Sequence, residues 1–154
     1  MNVNLKSGDL LYRQKGIFGH AGVYLGNMMV FHHSPDSGAE VVSFANYAAG
    51  KEVKIVISDS HNREVLVAAL KRILASDPVY NPLTNNCEHL ANALLFGRKF
   101  SGQAQAVLLS AVAGGLISWK IGKGNPFLVA ITAGSIGCIG VNLFRKTHGK
   151  VVVA

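Results

Sequence analysis

Asn85-Asn86-Cys87-Glu88-His89-Leu90 lies past the middle of the chain, and upstream the run His20-Ala21-Gly22-Val23-Tyr24-Leu25-Gly26 leads on to His32-His33. A cysteine with imidazoles within reach is the raw material of nucleophilic catalysis. The thiol reacts as thiolate, which a neighbouring imidazole or the positive end of a helix can supply. Both are on offer here. Asn85 or Asn86 caps a helix whose apolar residues Leu90, Ala93, Leu94 and Leu95 run on to Gly97, so Cys87 falls in its first turn. The unpaired amides and dipole there favour an anion by about 0.3 to 1 kcal/mol when exposed, and the thiol pKa is expected to fall.

The elements that must position these groups are short. Gly8-Asp9 leads into a strand at Leu10 to Tyr12, and a second strand runs from about His20 to Leu25. Gly26-Asn27 reads as a two-residue turn returning Met28 to His32 antiparallel. That register pairs Leu25 with Met28, Val23 with Val30, Gly22 with Phe31 and Ala21 with His32, leaving His20 and His32 about one residue out of step. Pro35-Asp36-Ser37-Gly38 is a further turn, and Glu40 to Phe44 and Val53 to Ile57 are β-branched strands. A helix is expected over Asn62 to Ala75, with Val65, Leu66, Ala69, Leu70 and Ile73 at helical spacing. The fold class is α+β: a small antiparallel sheet, a helix bearing the cysteine at its N-terminus, and an apolar C-terminal helical hairpin.

The residues Gly19-His20-Ala21-Gly22-Val23-Tyr24-Leu25-Gly26, His32 twelve positions after His20 and near Pro35, and Asn86-Cys87-Glu88-His89 resemble the lecithin retinol acyltransferase-like family. That family lies within the circularly permuted NlpC/P60 superfamily of cysteine hydrolases and acyltransferases. The resemblance covers about Lys6 to Gly97 and implies a permuted papain-like fold. It makes Cys87 the nucleophile, His20 the base that deprotonates it, and His32 the group that orients His20. His33 is the rival for that role; adjacent strand residues face opposite sides, so only one of the two can point at His20, and the spacing favours His32. Tyr24 and Asn86 are candidates to contact an oxyanion or the substrate, while Glu88 and His89 have mainly structural work. No cofactor or metal is implied. The family's pattern has one apolar anchor, whereas this chain carries two apolar segments.

The charge is uneven. Of the net +7, the stretch from Met1 to Phe100 holds +2 and the stretch from Ser101 onward holds +5, with no acidic residue after Phe100. The basic residues flank apolar segments at Ala104 to Trp119 and Phe127 to Phe144, a pattern that suits anionic lipid headgroups and argues against nucleic-acid binding. At about 1.5 Å per residue the second segment just reaches across a bilayer core and the first falls a little short. Ala106, Ser110 and Gly114, and Ala130, Gly134 and Cys138, give each a small-residue face for close packing. Two domains are expected, 1–100 catalytic and 101–154 an apolar helical hairpin that serves as a membrane anchor. Arg98, Lys99, Arg145, Lys146 and Lys150 lie outside the hairpin, against Lys120 and Lys123 in its loop, which puts the catalytic part in the cytosol. The start of the chain lacks the basic-then-apolar pattern of a secretory signal, and two cysteines do not make a disulfide framework.

The sequence therefore points to a membrane-associated thiol acyltransferase or phospholipase acting on glycerophospholipid acyl esters through a thioester, with an acyl donor lipid and an acyl acceptor as partners. The alternatives are an amidase or peptidase of the NlpC/P60 kind, and a non-enzymatic membrane-binding module that retains the fold.

Overall fold

The computed structural model of the chain describes residues 5–16, 18–56, 63–76, 78–148 and 150–152. The strands are β1 (Leu10–Lys15), β2 (Phe18–Gly26), β3 (Met29–Ser34), β4 (Gly38–Ser43), β5 (Val53–Val56) and β6 (Lys150–Val152); the helices are α1 (Phe44–Ala48), α2 (Arg63–Ala75), α3 (Cys87–Phe96), α4 (Gly102–Ile121) and α5 (Pro126–His148). The α+β reading holds. Ile57 and Asn62, expected at the ends of β5 and α2, lie outside the described residues. By contacts the chain divides into two compact units: one of Met1–Lys15, Gly19–Ser101 and Gly149–Ala154, the other of Gly16–Phe18 and Gly102–His148.

In the first unit one six-stranded sheet has the order β4-β3-β2-β1-β5-β6. Its edge strand β6, which pairs antiparallel with β5, is unannounced in the sequence. The two sheet faces carry different cores, as strand alternation requires. Tyr12, Ala21, Val23 and Phe31 pack with Leu90, Ala91 and Leu94 of α3 and Leu66 of α2. Leu11, Tyr24 and Val30 pack with Phe44, Tyr47 and Ala48 of α1. That short helix replaces the end of the expected strand at Phe44, because Ser43 caps it by accepting from Asn46 N–H at 3.2 Å.

The β2–β3 hairpin turns one residue later than expected. Asn27 and Met28 both have positive φ, 49° and 57°, the requirement of a type I′ turn, and Gly26 pairs with Met29. The ladder accordingly places Gly22 opposite His32, Val23 opposite Phe31 and Tyr24 opposite Val30. The slip brings the two candidate histidines into step. His32 now shares a face with Gly22, and so with His20 two residues on, as diagonal neighbours.

The second unit is a helical hairpin. Both α4, 20 residues, and the 19-residue stretch Pro126–Phe144 of α5 are long and apolar enough to cross a membrane, with 6% and 11% of their apolar windows buried. The two helices meet on small residues. An added Cβ at Gly114 would stand 2.6 Å from Ala133 Cβ, and one at Gly137 would lie 2.8 Å from Ala106 O and clash with Ser110 Oγ. The expected face of Ala106, Ser110 and Gly114 is therefore the one α5 packs on. Cys138 sits buried beside Gln103, and neither cysteine is in a disulfide.

Candidate active site

Cys87 begins α3, and the chain fixes that beginning with several bonds. Asn86 Oδ1 accepts from Glu88 N–H at 3.0 Å and His89 N–H at 3.1 Å, while Asn86 N–H donates back to His89 Nδ1 at 3.4 Å. This reciprocal cap explains the Asn-Cys-Glu-His order. Asn86 Nδ2 donates to Pro82 O at 2.8 Å and to Ser101 Oγ at 3.4 Å, so its polar atoms serve the cap and the preceding loop rather than an oxyanion. Glu88, which is buried, ties the same helix end to β1 and to the segment after α3: Tyr12 Oη donates to one carboxylate oxygen at 3.0 Å and Ser101 Oγ to the other at 2.7 Å. His89 has the structural part expected of it.

The sulfur lies where the sheet opens. The β2–β3 ladder ends at Gly22–His32, and the next pair along it would be Ala21 and His33. Ala21 N–H instead donates to Cys87 Sγ at 3.4 Å. The thiol takes the place of a strand acceptor, beside the strand that carries His20. Its hydrogen-bond partner among the described residues is this amide, not an imidazole nitrogen. Burial pushes the thiol pKa up, more than the amides of Ala21, Glu88 and Cys87 itself pull it down, and the Glu88 carboxylate adds to the rise. The expectation of a lowered pKa is thus corrected: the helix-end effect belongs to an exposed group, and Cys87 is buried.

His20 Nε2 and His32 Nδ1 lie 3.2 Å apart, with the rings edge to face. Burial and the neighbouring His32, Arg13 and Lys15 bring His20 down to about 3. His32 is also lowered, chiefly by burial and against the pull of Glu40. Glu40, directly opposite His32 on β4, holds Oε1 at 3.5 Å from His32 Nε2. The reading from sequence missed it, although pairing through the Pro35–Gly38 turn leads straight to Glu40. It missed Tyr47 too. The Tyr47 ring stacks on His20 with centroids 5.6 Å apart, and its hydroxyl lies within donating range of His20 O at 2.7 Å and Leu11 O at 3.1 Å. Gly22 makes this possible, since a Cβ there would come within 2.7 Å of the ring.

Two other sequence candidates stand elsewhere. Tyr24 shares the face of His20, but its hydroxyl accepts from Met28 N–H at 3.2 Å, at the tip of the hairpin. His33 faces the other way and is fully buried. Its Nε2–H donates to Pro78 O at 3.0 Å, and its ring meets Tyr80 with centroids 5.0 Å apart, so it fastens the loop that precedes Cys87.

Residues 1–58 match the NlpC/P60 family, a stretch that holds His20 and His32. The chain is 26% identical to phospholipase A and acyltransferase 3 of Mus musculus, over 94% of each chain. The protein of the same name from Pongo abelii is 23% identical and that from Homo sapiens 22%, each over 72% of this chain and 83% of its own length. Low as these identities are, the likeness runs through both units, and with the NlpC/P60 match it supports a general acyltransferase or hydrolase role.

Proposed function

We propose that the protein is a cysteine-dependent phospholipase or acyltransferase that takes an acyl chain from a glycerophospholipid onto Cys87. The observation that carries this is the placing of Cys87 Sγ on the amide of Ala21, next in the chain to His20, which begins the His20–His32–Glu40 series.

The tautomers follow from the series. Glu40 accepts only, so His32 carries its proton on Nε2 and presents a lone pair at Nδ1. His20 then carries its proton on Nε2 and keeps Nδ1 as the basic nitrogen. With the thiol raised and His20 lowered, the resting pair is thiol and imidazole. Proton transfer to His20 Nδ1 accordingly accompanies attack of Sγ on the ester carbonyl. The Cys87 N–H, which the Asn86 cap does not use, stands at the helix start as a donor for the carbonyl oxygen. His20 returns the proton to the departing alcohol, and a thioester remains on Cys87. Water or an acceptor amine or hydroxyl, deprotonated by His20, then attacks that thioester and restores the thiol.

The hairpin's exposed apolar surface, including Leu108, Leu109, Ile117, Trp119, Phe127 and Leu128, supports insertion into a bilayer. Basic residues outside the two segments support a catalytic unit on the cytosolic side. Intact-mass measurement after incubation with mixed phospholipids is the direct test: an acyl adduct is expected on the wild-type chain and absent from Cys87→Ser. An adduct that persists in Cys87→Ser removes the reading. Release of the full chain from membranes by carbonate without detergent would remove the anchor from it.

A further inference from the structure

Arg13 stands out on the face that carries the imidazoles. Tyr24 N–H donates to Asp9 O at 2.9 Å, and the register this sets puts Arg13 of β1 opposite His20 of β2. The side chain lies over the same Tyr47 ring that stacks on His20, its guanidinium carbon 5.6 Å from the ring centroid. Its Nε is buried and has no hydrogen-bond partner among the described residues. Of the acidic residues near the imidazoles, Asp36 lies 3.8 Å from Lys15 Nζ and Glu40 of β4 lies against His32. A guanidinium drawn partly out of water and without an ion pair among the described residues is poorly satisfied. The planar donor fork fits phosphate oxygens.

Resting on the acyl-transfer reading above, we propose that Arg13 seats the phosphodiester anion of the lipid donor. In a glycerophospholipid the sn-2 ester and the phosphate are borne by adjacent glycerol carbons. An anion held by Arg13, across from His20, therefore presents the ester to the Cys87–His20 pair. The site takes phosphate oxygens, whether from a lipid or free in solution, and the lipid is the source the neighbouring chemistry favours.

The test uses the full-length chain in maltoside micelles, which bring no phosphate. In Cys87→Ala protein the Arg13 Nε–H resonance is followed while dihexanoylphosphatidylcholine, dihexanoylglycerol or inorganic phosphate is added. Saturable movement with the phospholipid, absent with dihexanoylglycerol and lost in Arg13→Gln, is expected. A response to inorganic phosphate alone, or an equal response to both lipids, overturns the proposal. In protein with Cys87 intact, Arg13→Gln should lose on the order of ten-fold more kcat/KM on the phospholipid than on dihexanoylglycerol, and Arg13→Lys, which keeps the charge, should recover part of the difference. Equal losses on the two lipids would make Arg13 a support for Tyr47 only. If the resonance responds but wild-type protein turns over neither lipid, the anion seat stands and the acyl-transfer reading falls. Turnover without any response at Arg13 does the reverse: acyl transfer stands and the anion seat falls.

Discussion

Burial acts on Cys87 and His20 in opposite directions, raising the thiol and lowering the imidazole, and both directions favour a proton on sulfur. Alkylation of Cys87 by iodoacetamide should therefore rise with pH and reach half its limit above the ordinary thiol value of about 8.5. A rate already level at pH 6 would mean a preformed thiolate–imidazolium pair and would sink the thiol resting state. Glu40 yields a second expectation. Glu40→Ala leaves His32 free to carry its proton on either nitrogen, so kcat/KM should fall about ten-fold, the worth of one charge-assisted hydrogen bond. His20→Ala should cost far more, on the order of a hundred-fold or beyond, because it removes the base. A Glu40→Ala enzyme with wild-type rate and an unchanged mixture of imidazole tautomers by ¹⁵N NMR would dismiss the series. Cys87, His20 and His32 were legible because their spacing is a pattern of the chain itself. Tyr47 was not, since its place beside His20 depends on α1 folding back over a strand that lacks a side chain at Gly22.

Among the elements, the β2–β3 hairpin shows how a one-residue error propagates. Gly26-Asn27 reads as the turn because glycine and asparagine take positive φ readily, whereas the observed turn residues are Asn27 and Met28. Only the bulge between Tyr24 and Gly26 reconciles the observed turn with the pairing that follows. The strands, α2, α3 and the two apolar helices were readable from periodicity and caps. A three-residue strand such as β6 carries no periodic signal at all. Gly22 is the element's weak point. Gly22→Ala drives a methyl to within 2.9 Å of Val30 Cγ1 as well as against the Tyr47 ring, so the overpacking should cost about 1 to 3 kcal/mol. Activity should fall with it, as Tyr47 leaves His20. Unchanged melting of the variant, together with an unchanged rate, would show that Tyr47 yields without consequence.

For the whole molecule, His20, His32 and His33 are all held below their ordinary range, and burial is the first cause of each. An imidazole that is neutral when folded and takes a proton when unfolded stabilises the fold above the unfolded pKa. That contribution is lost as pH falls from 6.5 towards about 3, the window set by His20. Tm should thus drop between pH 7 and pH 5, and less in His20→Ala than in wild type. A flat Tm across that range would leave no room for three buried neutral imidazoles.

The return of the chain to the sheet has a topological corollary. Ser101, which precedes α4, and β6, which follows α5, both belong to the first unit, so the hairpin leaves that unit and comes back to it. A hairpin inserted into a bilayer in this way has an even number of passages or none. A reporter fused after Ala154 consequently labels the compartment of the site, and one placed in the Lys120–Asn125 connection labels the far leaflet or the far compartment. Deleting the hairpin alone, with Ser101 joined by a flexible linker to β6, would conserve the sixth strand that any simple C-terminal truncation discards.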